Sequence, residues 1–260
     1  MNETSPKIVF FGTDAPPVKT FALEHDIPVW QPEKLKDVAE KIVALQPVVG
    51  VLVAYGKIIP QSIIDLFDPG IINLHPSLLP RWRGPSPIET AIAQMDQETG
   101  VSIMQLTAAM DAGPVYQQTH LPLSGRETKF ELYEKLFNSG SELLCQLLPQ
   151  IVSGQLQPQP QDDSQATYCQ LLSKDDSLIN PDELTAEQAD ARVRAYLGFP
   201  RSRVQVGADQ LIITETHVAD QPSSKLDIKC QDGRWLIIDR LVAPSGKNMP
   251  VDAYLRGLKT

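Results

Sequence analysis

Three residues of this 260-residue chain have the types and spacing of a reaction centre: Asn73, His75 and, further on, Asp111. In IINLH (71–75) the alternation of a strand places Asn73 and His75 on one face, with Ile72 and Leu74 on the other. Pro76 ends the strand directly after the histidine. Amide and imidazole therefore stand at its carboxyl end, where open parallel sheets take their ligands. A neutral amide donor beside a group that gives or takes a proton near neutral pH suits acyl transfer, whose tetrahedral oxyanion needs donors. The same pair could simply close a strand end, and local features leave both readings open. Asp111 lies in Met110-Asp111-Ala112-Gly113, after the apolar run Val101 to Leu106. Asp two residues before Gly often just makes a turn. As another carboxyl-end loop of the same sheet, it would instead set a carboxylate beside His75, to orient the imidazole or help remove a proton.

The surrounding pattern is that of an α/β unit. Lys7 to Phe11 reads as a buried first strand and Val48 to Tyr55 as a central one covered on both faces. Helices are expected over Val18 to Glu24, Asp37 to Leu45 and Ser62 to Phe67. Strand–helix alternation of this kind builds a Rossmann-like, mostly parallel sheet. Ser86-Pro87-Ile88-Glu89 and Thr128-Lys129-Phe130-Glu131 read as capping boxes opening further helices. Residues 153–166, rich in Gln and Pro, read as an extended linker. Beyond it Thr185-x-x-Gln188 caps a short helix, and from Arg201 the pattern is all-β, with a hairpin turning at Asp232-Gly233. A small, OB-like β-barrel is expected there. The domain reading is thus 1–152 catalytic, 153–182 linker and 183–260 OB-like.

Composition narrows the classes. With 23 basic and 32 acidic residues the chain carries −9, distributed as −6 over 1–150, −5 over 151–200 and +2 over 201–260. A protein gripping nucleic acid mainly through phosphates should look basic somewhere, and only the last segment leans that way. The longest apolar run is too short to span a bilayer, and the first residues form no secretory signal. Three scattered cysteines (Cys145, Cys169, Cys230) suggest neither a disulfide framework nor a metal site, so the expected compartment is the cytoplasm. His25, His120 and His217 are isolated. Arg81, Trp82 and Arg83 could stack on or clamp an anion, or form a solvated loop. Phe11-Gly12-Thr13-Asp14 lacks the G-x-G-x-x-G pattern of a dinucleotide site.

INLHPSLLPRWRG, with PSPIETAI and TGVSIMQLTAAMDAGPVY after it, closely resembles the N10-formyltetrahydrofolate-dependent formyltransferases. The RWRG continuation and the spacing to Asp111 are similar to the branch whose acceptor is methionyl-initiator tRNA and to some sugar-amine relatives, rather than to the glycinamide-ribonucleotide enzymes. The resemblance implies Asn73, His75 and Asp111 as the catalytic trio. It also implies Ser77, Leu78, Leu79 and Pro80, with Gly56, Lys57, Ile58 and Ile59, as contacts to 10-formyltetrahydrofolate, and Gly12 and Thr13 as contacts near the acceptor's methionyl group. It implies no metal and no membrane partner.

The chain departs from that family at its front. Family members pass from the FGT turn through a helix, a strand and a long basic loop before a segment like PVKTFALEHDIPVWQP; here the two are joined directly. The sheet is thus shortened at its N-terminal edge, and Pro28–Trp30 is expected to pair beside the first strand by a right-handed crossover. Three readings arise: formyl transfer to the initiator tRNA with a reduced tRNA surface, formyl transfer to a smaller amine such as an amino sugar, and a non-catalytic folate- or RNA-binding remnant.

Overall fold

The apolar run ending at Tyr55 and the IINLH segment become neighbouring strands of one sheet. The computed structural model describes residues 6–12, 16–206 and 209–257, so Thr13 lies outside the described residues. The chain divides into two compact units, one within residues 1–85, 100–120 and 136–168, the other within 86–99, 121–135 and 169–260.

In the first unit, β1 (Ile8–Phe11), β2 (Val49–Val53), β3 (Ile71–His75), β4 (Glu98–Gln105) and β5 (Val115–Pro122) lie side by side in that order. β1, β2 and β3 are parallel, and β4 runs antiparallel to β3. Between β1 and β2 run α1 (Pro16–Glu24), a 3-10 turn and α2 (Ala39–Leu45); α3 (Gln61–Ile64) links β2 to β3. Every residue of β3 is buried, as a strand covered on both faces requires. On one face Ile71 joins Phe11, Val38, Ile42, Ile59, Ile63 and Phe67. On the other, Leu74 and Val101 meet Gly140 in the long helix that follows β5. A Cβ at Gly140 would come within 2.9 Å of both, so the helix can lie this close only without one.

Two expectations at the front fail. β1 is not buried: Ile8 and Phe10 are 47% and 50% exposed, because the strand is the sheet's edge; Phe11 reaches the core and Val9 packs partly against it. Nor does Pro28–Trp30 form a strand. β1 pairs instead with β2, from Ile8 opposite Val49 to Phe11 opposite Leu52. Pro28 and Pro32 bracket the bypassed segment and remove N–H groups that a ladder needs. Val18, Phe21 and Leu23 of α1 and Ile27 beyond it are exposed as well.

The second unit contains α4 (Pro87–Ala93), the first turns of α5 (Lys129–Val152), α6 (Ala186–Ala195) and α7 (Val251–Gly257). Its sheet is formed by β6 (Arg203–Val206), β7 (Asp209–Ala219), β8 (Ile228–Lys229), β9 (Trp235–Val242) and β10 (Asn248–Pro250). The order β10-β9-β7-β6, with β8 also on β9, is antiparallel and open, a curled half-barrel rather than a closed one. Small residues of α6 (Ala186, Ala189, Val193) share its core with Val204, Ile213, Leu236 and Ile238. The expected caps form at Thr185, which exchanges hydrogen bonds with Gln188, and at Thr128 with Glu131. The hairpin turns at Asp232-Gly233, with Gly233 at φ +81°. The box at Ser86 does not close. Its hydroxyl donates to the Gln170 carbonyl, and Glu89 pairs instead with Lys129 at 2.8 Å. Among the described residues no helix is long and apolar enough to cross a membrane. The three cysteines are free.

Candidate active site

β3 delivers Asn73 and His75 to its carboxyl end on one face, 5% and 4% exposed respectively. Among the described residues the Asn73 amide has no side-chain hydrogen-bond partner, although the residue is nearly buried. The His75 ring is held from one side: Nε2 lies 3.0 Å from the Trp82 carbonyl oxygen. A carbonyl only accepts, so the Nε2 proton is fixed there and Nδ1 is left as the second ring nitrogen. Nδ1 is 3.7 Å from the Asp111 carboxylate, which meanwhile accepts a 2.8 Å hydrogen bond from the Gly84 N–H.

The route of Asp111 to this place differs from the one expected. β4 is antiparallel to β3, so its carboxyl end lies at the opposite end from His75, where the Leu106 N–H donates to the Ile71 carbonyl. The loop after β4 must therefore turn back toward His75. Asp111 adopts φ +50°, which non-glycine residues rarely do. Two residues on, a Cβ at Gly113 would run into the Gln105 carbonyl, so only glycine lets the loop pass so close to β4.

Neighbouring segments are braced rather than loose. Trp82, also in the left-handed region at φ +59°, donates its N–H to Thr167 Oγ1, and the Arg83 N–H donates to the Thr167 carbonyl. The Arg83 guanidinium is 3% exposed and turned inward. It donates to Gln161 Oε1 from Nε and Nη2 and pairs with Asp163 at 2.6 Å. Burial works against its charge, but hydrogen bonds and charge attraction from Asp163 and Tyr168 hold its pKa above the ordinary arginine value. Gln161 Nε2 in turn donates to the carbonyls of Asp111 and Gly113, at 2.8 and 2.7 Å. A buried amide able to donate to an oxyanion, beside an imidazole and a carboxylate, is an arrangement suited to acyl transfer to a nucleophile.

A family profile described as "Formyl transferase" matches residues 12–148. The chain belongs to the formyl transferase family. Curated relatives point to one branch of it. The methionyl-tRNA formyltransferase of Herpetosiphon aurantiacus is 45% identical over 94% of this chain and 84% of its own length. That of Halorhodospira halophila is 37% identical over 93% and 82%. Among solved structures, the methionyl-tRNA formyltransferase from Clostridium thermocellum superposes with a TM-score of 0.62 at 22% identity, over 82% of this chain and 93% of that one, a likeness of fold.

Other residues expected to contact substrates in a formyl transferase occupy three settings. Gly56, Lys57 and Ile58 form an exposed loop after β2, the parallel neighbour of β3, with Ile58 86% exposed; Ile59 turns into the core. Ser77 and Leu79 are buried, and Leu78 and Pro80 are half-buried. The Ser77 hydroxyl donates to the Arg81 carbonyl at 2.6 Å. Ser102 Oγ joins the Ser77 carbonyl and the Leu79 N–H, and Gln118 donates to both Ser102 Oγ and the Leu79 carbonyl. Gly12 follows β1 and is half-buried. The basic triplet separates: Arg81 stacks on Trp82 at 4.3 Å, whereas Arg83 is committed inside and clamps no ligand. Gln161 and Thr167 went unnoticed in the sequence because they lie in and beside a polar stretch without periodicity. The one signal available was the pair of carboxylates, Asp162 and Asp163, able to answer a buried arginine. Among the described residues no group of three or more His, Cys, Asp or Glu could hold a metal ion.

Proposed function

We propose that the protein transfers a formyl group from 10-formyltetrahydrofolate to the free amino group of methionyl-initiator tRNA. The observation that carries this reading is the convergence of an unengaged Asn73 amide, His75 and Asp111 at the end of β3, in a chain 45% identical to a methionyl-tRNA formyltransferase. The folate, bound along the exposed 56–58 loop and the Leu78 and Pro80 side chains, supplies the formyl carbon that the amine attacks. As the new C–N bond forms, the carbonyl oxygen gains charge. The Asn73 amide donates to it, and His75 stabilises it from the side of Nδ1. Asp111, within 4 Å of that nitrogen, orients the ring and takes the amine's proton through a water. The bond between formyl carbon and folate nitrogen then breaks, the oxygen's electron pair restoring the carbonyl and the nitrogen taking up a proton.

In this reading residues 1–152 carry the chemistry, and the half-barrel, which lies in the +2 portion of the chain, helps hold the tRNA in the cytoplasm where translation begins. The test is incubation with 10-formyltetrahydrofolate and charged initiator tRNA, then with free amino sugars. Formylation of the tRNA that His75→Ala abolishes supports the proposal. Formylation of a small amine alone would overturn it, and so would a folded protein that transfers nothing.

A further inference from the structure

Gln161 lies in the Gln- and Pro-rich stretch that composition marks as linker, yet its amide is fully used by the loops around Asp111. Both Nε2 hydrogens are spent on carbonyls that flank Ala112, those of Asp111 and Gly113. Its Oε1 receives the fork of Arg83, whose next residue, Gly84, donates its N–H to the Asp111 carboxylate. The bonds close a ring: Arg83 side chain, Gln161, Asp111 backbone, Asp111 carboxylate, Gly84 backbone. Asp111 stands at φ +50°, a sparsely populated conformation that this frame holds in place.

We propose that Gln161 is a positioning residue that holds the Asp111 carboxylate beside His75. The inference rests on Asp111 and His75 forming the reaction centre, whichever amine is the acceptor. A mere tether of the stretch to the sheet is the competing role, and Asp163 separates the two. Asp163 pairs with the same guanidinium but bonds neither carbonyl of the Asp111 loop.

Gln161→Glu keeps an acceptor for Arg83 and removes both donors; Gln161→Met keeps the length and removes donor and acceptor alike. Both go beside Asp163→Ala and Asp111→Asn. The first readout is the ring-nitrogen spectrum of ¹⁵N-histidine-labelled protein, with the His75 signals assigned through His75→Ala. Both Gln161 variants are expected to displace those signals in the direction of Asp111→Asn, while Asp163→Ala leaves them in place. The second is formyl transfer. The Gln161 variants should lose roughly 10- to 100-fold in kcat with the formyl-donor KM within about twofold, the signature of misplacement rather than lost binding. Unmoved His75 signals overturn the inference, as does an equal effect of Asp163→Ala. Loss of cooperative unfolding in both Gln161 variants also overturns it, by making the residue a requirement of the fold. The spectrum needs no substrate, so a wild-type protein inactive on the tRNA defeats the proposed function without touching this result.

Discussion

The proposed reaction centre and the front edge of the same sheet are built in opposite ways. Around His75 nearly every polar group has a fixed partner, two non-glycine residues adopt the left-handed backbone, and segments about 80 residues apart are bonded together. Along β1 and α1 the reverse holds: Ile8, Phe10, Phe21 and Leu23 face outward with little to cover them. The front is where the chain is shorter than its formyl transferase relatives are expected to be. The contrast shows that β3 is held by its own neighbours β2 and β4, whereas the exposed edge at β1 pairs with β2 alone. β3 is fixed by β2, β4 and the helices on its faces, none of which depends on what lies beyond β1.

That contrast can be broken at several points. His75→Ala should cut formyl transfer by about 10²- to 10⁴-fold, measured under saturating donor, with little change in thermal midpoint. A comparable loss from Phe10→Ser would mean the edge shapes the centre after all. Gly113→Ala should come next. Its Cβ cannot avoid the Gln105 carbonyl, so the Asp111 loop shifts and kcat falls about tenfold or more, while far-ultraviolet dichroism is unchanged.

A polar hub in the second unit gives the same principle a value in free energy. Burial raises the Glu127 pKa, but Ser124, Gly125 and Arg126 donate to its carboxylate and the net result is about 2. A depressed carboxyl contributes stability that is complete above its unfolded value near 4.5 and disappears as the pH falls through about 2. The contribution is about 3 kcal/mol at neutral pH. Urea unfolding of wild type against Glu127→Gln should show two stability curves converging between pH 5 and 2; parallel curves would deny the hub its role. Smallest of all, Phe10→Ser should alter stability by no more than about 0.5 kcal/mol, because the ring is already half in water. A loss of several kcal/mol would show that the edge is covered in solution.

Much of the centre was legible because it is local. Asn73 and His75 are two apart on a strand whose alternation and closing proline can be read directly, and the caps at Thr128 and Thr185 are four-residue patterns. What escaped depends on distant partners. Whether β1 is buried turns on what lies beside it, which its own apolar residues do not state. Ser86 has the cap pattern, but Gln170 and Lys129 outbid the helix for its partners. The antiparallel turn of β4 hid the route of Asp111, since an apolar run looks alike in either direction. Gln161 sits among glutamines that resemble it, and the side chains of Gln157 and Gln165 bond only within their own turns.

The bonds from Gln161 and Thr167 also set an order of events. Residues 73–84 leave the ribosome well before the partners that brace them, which follow 78 to 85 positions later. A nascent chain halted before Gln161 holds Asn73, His75 and Asp111, the proposed reactive side chains, without the frame around Asp111. Closing a loop of that length is slow compared with forming a helix or hairpin. Catalytic competence should therefore arrive as one of the last steps in maturation of the first unit, after its strands have paired.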